Sequence, residues 1–160
     1  MTRPLKRCTR LTQALELYGD LRSRPGQADA LRNLGVVQHL TGDYRTATRN
    51  LTRALDLYRS LGNRHGETEA LNDLGELLSD SSDLPTARNH HESALATART
   101  INVPLEEARA LEGIGRCFIK EGQSAQGTGY LRQALGIYRA IRSPNAARVE
   151  SSLAENGNRR

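Results

Sequence analysis

Few side chains in this sequence are of a kind that does chemistry, and their spacing limits what they can do. His90 and His91 are adjacent. Neighbours on a helix point about 100° apart, so the two rings do not converge on one metal ion. A zinc pair needs i, i+4 or similar spacing, and no acid or cysteine completes the set. His91 shares a column with Leu51 and Leu131 and is expected to be a partly buried packing residue. Cys8 and Cys117 make neither a disulfide framework nor a zinc site at that separation. Both read as reduced thiols, Cys8 exposed and Cys117 a small core residue. Gly122 to Gly129 half-matches a phosphate loop, but Thr128 stands where the lysine belongs and no strand precedes it. It reads as a turn followed by a small packing residue. Glu106 and Glu107 fall in the first turn of a helix, where negative charge complements the dipole. No spacing supports a Ser-His-Asp or Cys-His arrangement. The expectation is a non-enzyme with no metal and no cofactor.

The net charge is +5, and its placement matters more than its size. Residues 1–24 carry six Arg/Lys against Glu16 and Asp20, and residues 139–160 carry five Arg against Glu150 and Glu155. The ends are therefore +4 and +3, leaving the middle at −2. Basic ends can touch nucleic acid or acidic partners, although a solvated terminus is the commoner case. There is no run of apolar residues long enough to span a membrane. The basic N-terminus lacks the apolar stretch of a secretory signal, so the expected location is cytoplasmic.

What must position these residues is a repeat. Leu34-Gly35, Leu74-Gly75 and Ile114-Gly115 recur at a stride of 40 without gaps. Leu31, Leu71 and Leu111 keep the same step, as do Ala47, Ala87 and Gly127, then Ala54-Leu55, Ala94-Leu95 and Ala134-Leu135. Tyr18, Tyr58 and Tyr138 share a column in which Ala98 is the exception. Each unit holds two stripes with three- and four-residue spacing, the mark of a helix pair. Gly42 and Gly122 suit left-handed helix ends, and Asp43 and Asp83 suit N-caps. Pro104 and Pro144 suit first turns. Gly35, Gly75 and Gly115 each cost a helix about 1 kcal/mol against Ala, which implies close helix approach in that column.

These columns resemble the tetratricopeptide repeat. Of 21 signature slots in three copies 19 fit, with Gln38 and His91 departing, and Arg59, Arg99 and Arg139 stand where the family has Pro. The likeness is nearest the 40-residue variant of kinesin light chains, Leu-Gly-Asn repeat proteins and the C-terminal regions of actinobacterial STAND or SARP-type regulators. It covers about residues 11–156. It implies an all-α, right-handed α-α superhelix of about eight antiparallel helices, in one domain over 1–160. Helix 5–22 is unpaired; 25–60, 64–100 and 104–141 are helix pairs; 145–156 is a cap. The unpaired first helix either marks a chain cut from a longer protein, the favoured alternative, or caps itself with Leu5, Leu11, Leu15 and Tyr18; left uncapped, it permits self-association.

The resemblance also implies a concave side lined by the first helix of each pair, and a protein or peptide partner held there. On helix 25–41 the residues off the core stripe are Asp29, Arg32, Asn33, Val36 and Leu40. On helix 64–80 they are Glu69, Asn72, Asp73, Glu76 and Asp80. On helix 104–120 they are Arg109, Glu112, Arg116, Ile119 and Lys120. These residues form either a groove with a charge gradient that orients a peptide, or a set in which Asp73 and Glu76 pair with Arg109 and Arg116 across the interface. Asn33 and Asn72 carry amides able to bond a peptide backbone. Arg32 and Asn33 hint at a carboxylate clamp, but Val36 stands where such a clamp needs Asn. The expected function is a protein- or peptide-binding scaffold, the interaction or sensor region of a larger bacterial regulator. Its partner is a protein, a peptide or another domain of the same parent. The alternative is a nucleic-acid-associated module that binds through its basic ends.

Overall fold

A computed structural model of the protein describes residues 3–157. They form eight helices: α1 Arg3–Asp20, α2 Arg24–Leu40, α3 Tyr44–Ser60, α4 Arg64–Asp80, α5 Leu84–Thr100, α6 Pro104–Lys120, α7 Ser124–Ala140 and α8 Asn145–Gly157. No strand occurs among the described residues. From α2 to α7 every helix has 17 residues and starts 20 after the last, so the 40-residue stride is two equal half-steps. Pro104 opens α6, whereas Pro144 lies one residue ahead of α8.

The half-step comes from one turn used seven times. Its second residue is left-handed at Arg22, Gly42, Gly62, Ser82, Asn102, Gly122 and Arg142, with φ between 50° and 83°. Its third residue donates its N–H five residues back, as Asp43 does to Gln38 and Gln123 does to Phe118. Such a bond satisfies a carbonyl that the helix end leaves free. That third residue then opens the next helix. Ser23, Asp43, Asn63 and Asp83 accept the backbone N–H of Gly26, Thr46, Gly66 and Thr86. Val103 and Gln123 occupy the same place without a side-chain cap.

Arg59, Arg99 and Arg139 explain how the turn does without proline. Arg59 Nε bonds Glu67 at 3.0 Å, Arg99 Nε bonds Glu107 at 2.8 Å, and Arg139 bonds Glu150 at 2.7 Å. Each guanidinium spans from the end of one helix to the start of the next. The connection is closed by an ion pair where the family closes it with a ring.

Each helix packs on its sequence neighbours, and in addition α2 meets α4 and α4 meets α6. No comparable contact joins α3 to α5 or α5 to α7. Helices that touch across a repeat lie inside the curve, so α2, α4 and α6 line the inner face. The apolar core falls into two bodies. One contains Leu31, Leu51, Leu55, Tyr58, Leu71 and Leu74; the other contains Leu111, Leu131, Leu135, Tyr138 and Val149. Between them, where α4, α5 and α6 meet, lies a polar seam.

Candidate functional site

The seam is built from departures in the repeat. Tyr58 covers Gly66, whose absent Cβ would meet the ring at 2.4 Å, and Tyr18 covers Gly26 in the same way. One repeat further the pair becomes Ala98 and Glu106, so a carboxylate takes the place of an aromatic ring. Glu106 is 3% exposed. Its Oε2 receives Asn72 Nδ2 at 2.9 Å and Arg109 Nη1 at 3.1 Å, and its backbone carbonyl also receives Asn72 Nδ2 at 3.1 Å. Sequence reasoning assigned Glu106 only to the helix dipole; a buried acid facing Ala98 was the signal that could have corrected it.

With its amide nitrogen on Glu106, Asn72 turns Oδ1 toward His91 Nδ1 at 3.1 Å. Asn72 is fully buried and both of its polar atoms are engaged. It is therefore not the free amide for a peptide backbone that the sequence led us to expect, but a strut between repeats. His91 is also more deeply placed than expected, at 1% exposed. Burial first, then Arg109, His90 and Arg116, pull its pKa down to about 3, with Asp73 opposing. The ring is neutral at physiological pH. Gln38, the other departure, is likewise answered by a polar partner, accepting from Asn50 Nδ2 at 2.8 Å.

An ionic ladder continues from the seam along the inner face. Arg32 holds Asp73 at 2.6 Å and Glu69 at 3.2 Å. Arg109 holds the other Asp73 oxygen and Glu76, each at 2.8 Å. Burial works against the Arg109 charge, but Glu76, Asp73 and Glu106 outweigh it and raise its pKa. Burial likewise raises Glu69 against the pull of Arg32. Glu112 is buried and takes Tyr138 Oη at 3.0 Å and Arg148 at 2.8 Å. Asp29 is exposed and accepts from Tyr58 Oη at 2.7 Å. Burial, reinforced by these carboxylates, raises both phenols. Lys120 donates to the Ser79 carbonyl at 2.7 Å, and His39 meets Asp80 at 3.0 Å.

Two expectations change. The acids of α4 are largely neutralised by Arg32 and Arg109, so the inner face carries no simple charge gradient. Asp73 and Glu76 do pair with Arg109, but Arg116 stays exposed and makes no ion pair among the described residues. Asn33 also keeps an unbonded amide, half-buried on α2. Val36 packs against the core, while Leu40 is 75% exposed. Arg32 is committed to Asp73 and Glu69, which leaves no guanidinium for a carboxylate clamp. Cys8 is half-buried rather than exposed, and Cys117 is buried, with burial raising its thiol pKa. Among the described residues there is no cluster of acids, histidines and cysteines able to hold a metal.

Paired helices at a constant half-step, stacked with their first members inward, match a known pattern in the sequence itself. The tetratricopeptide repeat profile matches residues 8–60 and 27–100. The chain belongs to the tetratricopeptide repeat family. No curated protein matches it. Among solved structures, a Rap protein complexed with competence and sporulation factor has a TM-score of 0.86 at 20% identity, covering 93% of this chain and 42% of that one. Repeats of a putative kinesin light chain from Podosopora anserina give 0.76 at 16% identity, covering 98% and 80%. The N-terminal domain of stress-induced protein-1 from C. elegans gives 0.64 at 16% identity, covering 84% and 98%. These likenesses establish a tetratricopeptide superhelix. The chain spans less than half the length of that Rap protein.

Of the basic ends, residues 1–2 and 158–160 lie outside the described residues. Among the described residues no helix is long and apolar enough to cross a membrane.

Proposed function

We propose that this tetratricopeptide chain is a scaffold whose inner face, α2, α4 and α6, holds an extended or helical peptide segment. One observation carries the reading. On a face where Arg32, Asp73, Arg109 and Glu112 are all spoken for and Glu76 is held through one oxygen, Asn33, Arg116 and Leu40 remain unengaged. The paired residues make the wall; the three others offer an amide, a cation and an apolar contact to a guest. The likeness to a Rap protein that was crystallised with competence and sporulation factor supports the same reading. The partner is a protein segment, free or belonging to another domain of the same parent, and the chain works as the cytoplasmic sensor region of a larger bacterial regulator. Residues 1–160 act as one repeat domain. Leu17 of α1 and Leu21 in the turn after it, 61% and 74% exposed, are the surface by which it docks further repeats or a second copy.

The test uses the whole chain, immobilised and offered a random peptide library. Asn33→Ala with Arg116→Ala removes the free groups and leaves every ion pair in place. Capture that drops about tenfold in a variant with unchanged circular dichroism supports the groove, since each lost polar contact is worth about 0.5–1.5 kcal/mol. Capture that is unchanged rejects it. Removing Asp73 or Glu76 is a poorer probe, because it unpairs buried arginines and confounds binding with stability.

A further inference from the structure

On the outer helix α5, His91 points inward and reaches the inner face between α4 and α6. Its Nδ1 is taken by Asn72, while its Nε2 is buried and has no hydrogen-bond partner. Two glycines make the passage. A Cβ at Gly75 would lie 2.5 Å from Nε2, and one at Gly113 would lie 2.3 Å from it. The imidazole forms part of the wall of a cavity of about 170 Å³, together with Leu40 of α2, Glu76 and Asp80 of α4, and Arg116 of α6. In the other two repeats that column holds an apolar side chain, Leu51 against Gly35 and Leu131 against Gly115.

The protonation pattern defines what can enter. Both nitrogen contacts of Asn72 are with acceptors, so its Oδ1 faces His91 and Nδ1 carries the imidazole proton. Nε2 is then a bare lone pair, and an occupant must donate to it. Arg116, unpaired, can only donate, so the occupant must also accept. Glu76 accepts from Arg109 through Oε1 and keeps Oε2 free. A carboxylate has no proton for Nε2 and faces Glu76 and Asp80. An ammonium has no acceptor for Arg116. A hydroxyl has one proton for two acceptors. A carboxamide has two protons and one acceptor.

We propose that this cavity is a side-chain subsite of the groove that takes a carboxamide, the Asn or Gln of a bound peptide. One amide N–H bonds His91 Nε2, the other bonds Glu76 Oε2, and the carbonyl accepts from Arg116. Seating it parts α4 and α6 slightly at the two glycines. A polar group buried without a partner costs free energy that the guest recovers, which favours an amide over an apolar side chain of the same size. The proposal rests on the groove reading.

The test is a positional-scanning library of immobilised ten-residue peptides, offered to the whole chain and to two variants. In His91→Leu the column regains the leucine of the other repeats. In Arg116→Ala an exposed side chain is shortened, so folding is not at risk. The expected result is enrichment of Asn and Gln at one position by the wild type. For the best peptide, each variant then binds about threefold to tenfold more weakly, and replacing that Asn or Gln by Ala no longer matters to the variants. Capture without an amide preference, or with acidic or basic residues enriched instead, overturns the subsite and leaves the groove standing. No capture by the wild type overturns both. Should His91→Leu fail to fold, the wild type still decides: the selected peptide must move the His91 Nε2 nitrogen resonance, and a stationary resonance overturns the proposal.

Discussion

His91 donates through Nδ1 to Oδ1 of Asn72 at 3.1 Å, and that bond joins the second helix of one repeat to the first helix of the same repeat inside a dry interface. Both amide protons of Asn72 are turned to Glu106 on the next repeat. One amide thus ties three helices. Asn72→Ala is expected to lower the unfolding free energy by about 2–4 kcal/mol, because it leaves the buried His91 N–H without an acceptor and takes from the buried Glu106 carboxylate its amide donor, Arg109 alone remaining. Urea denaturation of the whole chain measures it. A loss under 1 kcal/mol would mean that the seam is open to water in solution.

The same imidazole makes stability depend on pH. Folded, its pKa is pulled to about 3 by burial, with Arg109, His90 and Arg116 adding and Asp73 opposing. Unfolded, it returns to about 6.5. Below that value the unfolded chain binds a proton that the folded chain refuses, so the contribution of this group falls as the pH falls, by up to about 1.4 kcal/mol per unit until about pH 3. Many carboxylates also titrate in this range, and His91→Leu separates them. Between pH 6 and pH 4 the wild type should lose about 2 kcal/mol more than the variant. Parallel curves would show that the ring is charged when folded.

The stride, the helix pairs and their inward order were legible because each depends on columns of like size, and size survives in a single sequence. Gly42 and Gly122 announced two left-handed turns. Arg22, Ser82, Asn102 and Arg142 announced nothing, since those residue types are ordinary elsewhere, yet they adopt the same conformation because the identical helix pair on either side imposes it. The site was less legible. Helical periodicity tells which face a residue is on, not how deep the neighbouring repeat buries that face. Arg32, Asn72 and Glu112 occupy one column and looked equally open. Asn72 is sealed and Glu112 nearly so, because α6 and α8 close over them with Glu106 and Arg148. Choice of partner was the other unreadable part: Arg109 and Arg116 are both cations on one helix, and only packing decides that the first meets Asp73.

Glycine positions in this chain separate into those that face a neighbour and those that face nothing. Gly113→Ala would put a Cβ 2.3 Å from the His91 ring, whereas a Cβ on Gly136 meets no atom within 4 Å. Alanine in a helix is worth about 1 kcal/mol over glycine. Gly136→Ala should therefore stabilise the protein by about that amount. Gly113→Ala should destabilise it by about 1–3 kcal/mol through overpacking. In a His91→Ala background the second penalty should vanish and become a gain. Thermal melts of the wild type, the three single variants and the His91→Ala/Gly113→Ala double variant test this, and a penalty that survives the loss of the ring would place the clash elsewhere.

Ion pairs that look alike on the page should separate by burial. Arg99 is 54% exposed where it meets Glu107, while Arg109 is 18% exposed against partners at 6% and 4%, Asp73 and Glu106. The first pair keeps its water and gains about 0–1 kcal/mol, screened by salt. Breaking the second leaves Glu106 in the seam without its cation and Asp73 with Arg32 alone, at a cost of about 3–5 kcal/mol. Arg109→Lys should restore little, because one ammonium cannot span Asp73, Glu76 and Glu106 as the planar fork does. Denaturation in low and 1 M salt orders the three variants: Arg99→Ala small and abolished by salt, Arg109→Lys and Arg109→Ala large and nearly insensitive to it. Equal losses for Arg99→Ala and Arg109→Ala would show that the seam is no drier than the surface, and the separation of the two apolar cores by a buried polar layer would fall with it.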